Sequence, residues 1–171
     1  MTAFDDLDDY LALPRVSGLA VSPDGSRLVT TVTTLNEKKT EFLSAIWELD
    51  PNGTQPARRL THGAKGESAP VFTAEGDLLF LAVRAGEDDD KPPAALWRLP
   101  ARGGEALEVL TMPGGVAGAL SARAADSTVV TAPLLPSSTG VEDDKAKRDL
   151  RARIRRWARM LKERGHDLPA G

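Results

Sequence analysis

The sequence predicts a mainly β fold: a partial β-propeller of about two and a half four-stranded blades, followed by a charged amphipathic helix near the C-terminal end. Three observations predict it. The stretch "VSPDGSRLVT" at 21–30 is answered by "FTAEGDLLFL" at 72–81, fifty-one residues on. Two further landmarks, "IWEL" (46–49) with "LWRL" (96–99) and "RLT" (59–61) with "VLT" (109–111), recur at an offset of fifty. Finally, residues 142–164 contain neither glycine nor proline and place their apolar side chains at helical spacing.

Residues 1–15 form a lead-in in which Leu7, Tyr10 and Leu11 fall on one helical face, which predicts a short helix. Blade 1 is expected over 16–65, with strands near 18–22, 27–34, 42–49 and 57–61. Its first corner, Ser22-Pro23-Asp24-Gly25, suits a type I turn: proline pre-sets φ at the second position and Gly25 takes the positive φ that returns the chain to the ladder. "RLVTTVTT" then supplies the β-branched residues of a strand. Asp24 reads as a turn residue, not a catalytic acid.

Blade 2 is expected over 66–115, with strands near 69–73, 77–83, 94–99 and 106–111. Its corner keeps only Gly76 of the earlier one, and "LLFLAV" is a continuous apolar run, as in a strand covered on both faces. "DPNGTQPA" and "PARGGE" carry the glycine and proline expected between third and fourth strands. Trp47 and Trp97 hold one repeat position, which suits inter-blade packing. A third copy opens over 116–136, with Val129 and Val130 in the places of Leu79 and Phe80, and stops after two strands. Closed propellers need at least about four blades, so further blades are expected from a longer protein, with the chain truncated after 171. A β-sandwich of short hairpins is the competing architecture.

In the predicted helix, 142–165, Leu150, Ile154, Trp157 and Leu161 form one stripe. Acidic Glu142, Asp143 and Asp144 sit at its start and arginines towards its end, matching the helix dipole, and Gly165 is a natural stop. Residues 142–164 carry 10 Lys and Arg against 5 Asp and Glu, whereas residues 1–141 carry 12 against 19. A cationic helix can meet phosphates or an anionic membrane. The acidic helix start and the acidic body instead favour a solvated polar face and a stripe docked on protein, with Trp157 buried against another part of a parent protein.

With no cysteine, disulfide and thiolate chemistry are excluded. The start is acidic where a secretory signal is basic, and no run approaches a membrane span. The expectation is a soluble cytoplasmic protein without nucleic-acid or membrane partners. Chemistry is equally sparse. No G-x-S-x-G pentapeptide occurs, and His62 and His166 stand in glycine-flanked stretches without relay partners. "MPGGVAG" (112–118) lacks the phosphate-loop pattern and reads as a connection between blades. "GEDDDKPP" (86–93) fails calcium-loop spacing and reads as a hairpin tip. No catalytic, cofactor-binding or metal-ligating residue is assigned.

The stretches "DDYLALPRVSGLAVSPDGSRLVTTV", "IWELD", "ARRLTHG", "SAPVFTAEGDLLFLA" and "ALWRLPARGGEALEVLT" resemble the N-terminal β-propeller of the prolyl oligopeptidase family of serine peptidases over about residues 7–135. Acylaminoacyl-peptidase-like and dipeptidyl-peptidase-like bacterial members are nearest in style. The resemblance implies a propeller that restricts access of short peptides to a C-terminal α/β-hydrolase domain holding the catalytic Ser, Asp and His. That domain matches nothing here, so no catalytic residue is carried over. The charged helix is similar to a Lys/Arg-rich insertion in some members. SPDG-type turns also occur in TolB-type propellers, which leaves a non-enzymatic interaction scaffold as the alternative.

Overall fold

The computed structural model describes residues 6–83 and 93–163. Ten strands and two helices follow in the order α1 (Leu7–Ala12), β1 (Arg15–Val21), β2 (Leu28–Leu35), β3 (Phe42–Leu49), β4 (Arg58–Arg59), β5 (Glu67–Phe72), β6 (Leu78–Ala82), β7 (Ala95–Leu99), β8 (Leu107–Leu110), β9 (Gly118–Ser121), β10 (Thr128–Thr131) and α2 (Val141–Glu163). They make two four-stranded antiparallel sheets, ordered β1-β2-β3-β4 and β5-β6-β7-β8, and one two-stranded sheet, β9-β10. The sheets stack in sequence order, with β1 beside β5 and β5 beside β9, so the first strands of successive sheets run together.

Both corners form the expected turn. The Gly25 N–H reaches the Ser22 carbonyl at 2.9 Å and the Gly76 N–H reaches the Thr73 carbonyl at 3.1 Å, with φ of +74° and +86°. Their lengths differ. Val21 pairs with Leu28 across six intervening residues, while Phe72 pairs with Leu78 across five. That one residue converts the offset of fifty-one before the corner into fifty after it.

The first strand of each complete sheet also carries a bulge. Gly18 and Leu19 lie between the pairs Ser17↔Thr31 and Ala20↔Val29, and Ala69 and Pro70 lie between Ser68↔Leu81 and Val71↔Leu79. Gly18 takes φ +63° without strain, and Ala69 adopts φ +54° in spite of its Cβ. The bulge lets β1 begin at Arg15, three residues ahead of the expected strand. The expected fourth strand of 57–61 is reduced to the two-residue β4.

Two cores separate the three sheets. Val29 and Ile46 of the first sheet meet Phe72, Leu78, Phe80 and Ala82 of the second, with Trp97 packed alongside. On the other face of the second sheet, Leu79, Leu81 and Leu96 meet Val116, Ala119 and Val130. Every residue of β6 is buried, because its sheet lies in the middle of the stack. An ion pair braces each complete sheet at one repeat position with its signs exchanged: Arg27–Glu48 at 2.6 Å in the first, Asp77 with Arg98 in the second. Burial of Glu48 works against its charge. The guanidiniums of Arg27 and Arg58 outweigh that and hold the carboxyl below its ordinary range.

Candidate functional site

A concave feature with an apolar floor lies on the outer face of the first sheet, the side turned away from the second. Val32, Leu43, Ala45 and Trp47 form the floor of a groove of about 610 Å³, rimmed by Glu37, Lys38, Glu41 and Arg59. The floor follows from strand alternation: Ile46 points into the core, so Ala45 and Trp47 point the other way. Trp97 packs against the core between the first two sheets, as its repeat position suggests. Trp47 holds the same position one sheet earlier and is half-buried on a face that no described sheet covers. The groove offers one aromatic ring and aliphatic surface with both cations and carboxylates at the rim. No nucleophile and base meet in it.

The residues singled out from sequence are scattered. His62 is exposed beside Gly63, while His166 lies outside the described residues, as do residues 86–92 of the acidic "GEDDDKPP" stretch. Among the described residues no group of three or more His, Cys, Asp or Glu is gathered as for a metal ion, and no helix is long and apolar enough to cross a membrane.

Asp24 is held by its own corner. Its carboxylate accepts hydrogen bonds from the Ser22 hydroxyl (2.5 Å), the Ser26 hydroxyl (2.8 Å) and the Ser26 N–H (3.1 Å). These donors, Ser22 first, bring its pKa down to about 2. Stability from this corner is therefore full above the ordinary aspartate value near ~3.9 and is lost as pH falls through about 2. In a carbon-detected NMR titration the Asp24 carboxyl is expected to show its midpoint at about 2. A midpoint in the ordinary aspartate range would remove the three-donor account.

Sequence reasoning missed Glu67. It opens β5 with 1% exposure, its Oε1 accepts the Gly63 N–H, and its Oε2 has no partner among the described residues. A Cβ on Gly63 would lie 2.8 Å from the Glu67 carboxyl carbon, so the glycine makes room for this contact. The loop between the first and second sheets is thereby latched to the start of the next strand. The signal available in sequence was the pair of glycines flanking "AK" ahead of Glu67, which does not reveal burial.

The glycine-rich 112–118 stretch does connect sheets, and Gly114 has a second use. A Cβ there would come within 2.9 Å of the Arg148 guanidinium carbon, so the base of α2 seats on it. Asp144, fully buried, accepts hydrogen bonds from the Leu135 N–H (2.6 Å), the Ser138 hydroxyl (3.1 Å) and Arg148 Nε (2.5 Å). Beyond Asp149 the helix is largely bare: Leu150, Ile154 and Trp157 are each 54% exposed. Among the described residues the stripe is not docked on the body.

The comparisons with known proteins bear on the stack as a whole. No family model matches the chain. A solved TolB-type structure from Agrobacterium tumefaciens superposes with a TM-score of 0.53 at 19% identity, covering 71% of this chain and 39% of that one. The fold is propeller-like. It is not a closed propeller, since both ends of the stack are open among the described sheets. In sequence, the chain is 29% identical over 145 residues to YuxL, a Bacillus subtilis protein named as an uncharacterized peptidase. That match covers 83% of this chain and 21% of YuxL, so the propeller-like chain spans about a fifth of the curated relative it matches.

Proposed function

We propose that this chain is the opening part of a propeller that restricts substrate entry in a longer serine peptidase of the prolyl oligopeptidase type. The observation that carries the reading is the likeness to a peptidase-named protein over 83% of a chain whose described residues gather no catalytic constellation. The convergence of β1, β5 and β9 along one side of the stack supports it, because first strands so arranged border an axial opening. On this reading the catalytic Ser, Asp and His belong to an α/β-hydrolase domain beyond these residues, which is one partner; further blades are another. The substrates are short peptides or acylated or dipeptide N-termini, and the setting is the cytoplasm. The stack by itself is inert.

A second reading, a non-enzymatic TolB-like scaffold for protein interaction, is favoured by the structural likeness to the Agrobacterium protein. One assay separates them. This chain and a longer product of the same reading frame are offered chromogenic short peptides and acyl-amino acids. Hydrolysis is expected from the longer product alone. Cleavage by the 171 residues, or none by a longer product carrying a G-x-S-x-G domain, overturns the peptidase reading.

A further inference from the structure

The two ends of α2 use their charges differently. At the base, Asp143 pairs with Lys147 at 2.7 Å and accepts the Thr139 N–H, while buried Asp144 pairs with Arg148 at 2.5 Å. The acidic helix start, which in the sequence weighs against an anionic partner, is therefore taken up by the anchor. From Leu150 to Lys162 the helix carries six cations, Arg151, Arg153, Arg155, Arg156, Arg159 and Lys162, and no acid.

The same stretch sorts its side chains by face. At about 3.6 residues per turn, Leu150, Ile154, Trp157 and Leu161 share one narrow arc, with Arg153 and Arg156 on one side of it and Arg151 and Lys162 on the other. Leu150, Ile154, Trp157 and Met160 are exposed, and Arg153 and Arg156 line one hollow together with them. An apolar strip is thus bordered by guanidiniums on a helix seated only at its base.

We infer that this part of α2 lies on an anionic lipid surface, with the strip turned into the headgroup and acyl boundary and the bordering cations among the phosphates. A nucleic acid would satisfy the guanidiniums and leave Trp157 and Ile154 in water. A protein groove would need acids along both borders of a matching apolar floor. A lipid interface presents phosphates on both sides of any such strip and needs no preformed shape. Arginine stems are long enough to follow the strip inward while their heads stay at the phosphates, and tryptophan suits that boundary. The helix rests on the surface and does not span it, since no described helix is long and apolar enough to cross a membrane. The inference goes beyond the peptidase reading and does not depend on it.

Co-sedimentation with vesicles of equal parts phosphatidylcholine and phosphatidylglycerol tests this, applied both to this chain and to a longer product of the same reading frame. Vesicles of phosphatidylcholine alone are the reference, and circular dichroism checks that each variant is folded. Both proteins are expected to pellet with the anionic vesicles and to stay in solution with the neutral ones. Arg153→Gln combined with Arg156→Gln is expected to weaken binding roughly thirtyfold, at about fivefold for each charge. Trp157→Ala is expected to weaken it roughly tenfold. No binding to anionic vesicles, or equal binding to neutral ones, overturns the inference. Binding by this chain but not by the longer product overturns it in favour of a strip covered by further protein. Binding that answers only to the arginines overturns it in favour of a phosphate contact of the nucleic-acid kind, and binding that answers only to Trp157 overturns it in favour of a purely apolar contact. The cleavage assay and this measurement can fail independently of each other.

Discussion

Replacing Phe80 by alanine is expected to lower the stability of the fold by ~3–5 kcal/mol. Phe80 is 1% exposed, lies opposite Trp97 in the middle strands of the second sheet, and packs into the cluster with Val29 and Ile46 of the first. The cavity would open between two sheets joined by a single loop, and backbone hydrogen bonds on both sides resist its collapse. With a urea m-value of about 1–3 kcal/mol/M, the unfolding midpoint should fall by at least about 1 M. Leu107→Ala, at a site 60% exposed, serves as the control and should stay within roughly 0.5 kcal/mol. A Phe80 variant that melts with this control would mean that the first two sheets are not held together by their shared core.

Replacing Asp144 by asparagine is expected to release the base of α2. The carboxylate receives three donors, and an amide would turn an NH₂ group towards some of them. Its pKa is held low first by the Leu135 N–H, against the opposing effect of burial, with Arg148 and Ser138 adding to the lowering. A lowered folded value means that the anchor contributes fully above the ordinary aspartate range and is lost as pH falls through the folded value. Amide exchange over 141–149 should therefore accelerate roughly tenfold or more in the variant at neutral pH. The wild type should show the same loss, after correction for intrinsic rates, only below about pH 4. Unchanged protection in the variant would place the helix anchor elsewhere, in Lys147–Asp143 or in Arg148 and Pro133.

The stacked sheets were legible because the chain repeats itself. Trp47 and Trp97, the two glycine corners and the β-branched and apolar runs each carried a local physical reason for a strand or a turn. The bulges were not legible. Gly18 could have been any glycine, and nothing in the residue type of Ala69 announces φ +54°; tertiary pairing on both sides imposes it. The helix from Val141 to Glu163 was readable from periodicity, while its tether was not, since Asp144 looked like one of three interchangeable acids at a helix start. Glu67 was hidden for the same reason: composition shows a carboxylate, and only the fold shows that it is buried against Gly63. Trp47 lies between these cases. Repeat arithmetic puts it on a sheet face, and the stack shows that no described sheet covers that face.

The connection between second and third strands is six residues long in the first sheet, from Leu35 to Phe42, while the chain leaving β10 at the matching point runs on into a 23-residue helix. The sheets stack mainly through their faces, while the rim supplies local contacts such as the Val116 N–H to the Ala94 carbonyl at 2.7 Å. Length is added there with the helix seated by its base, Arg148 against Gly114. The rim works as an insertion port, a place where a fixed scaffold acquires new surface chemistry while its internal registers stay untouched.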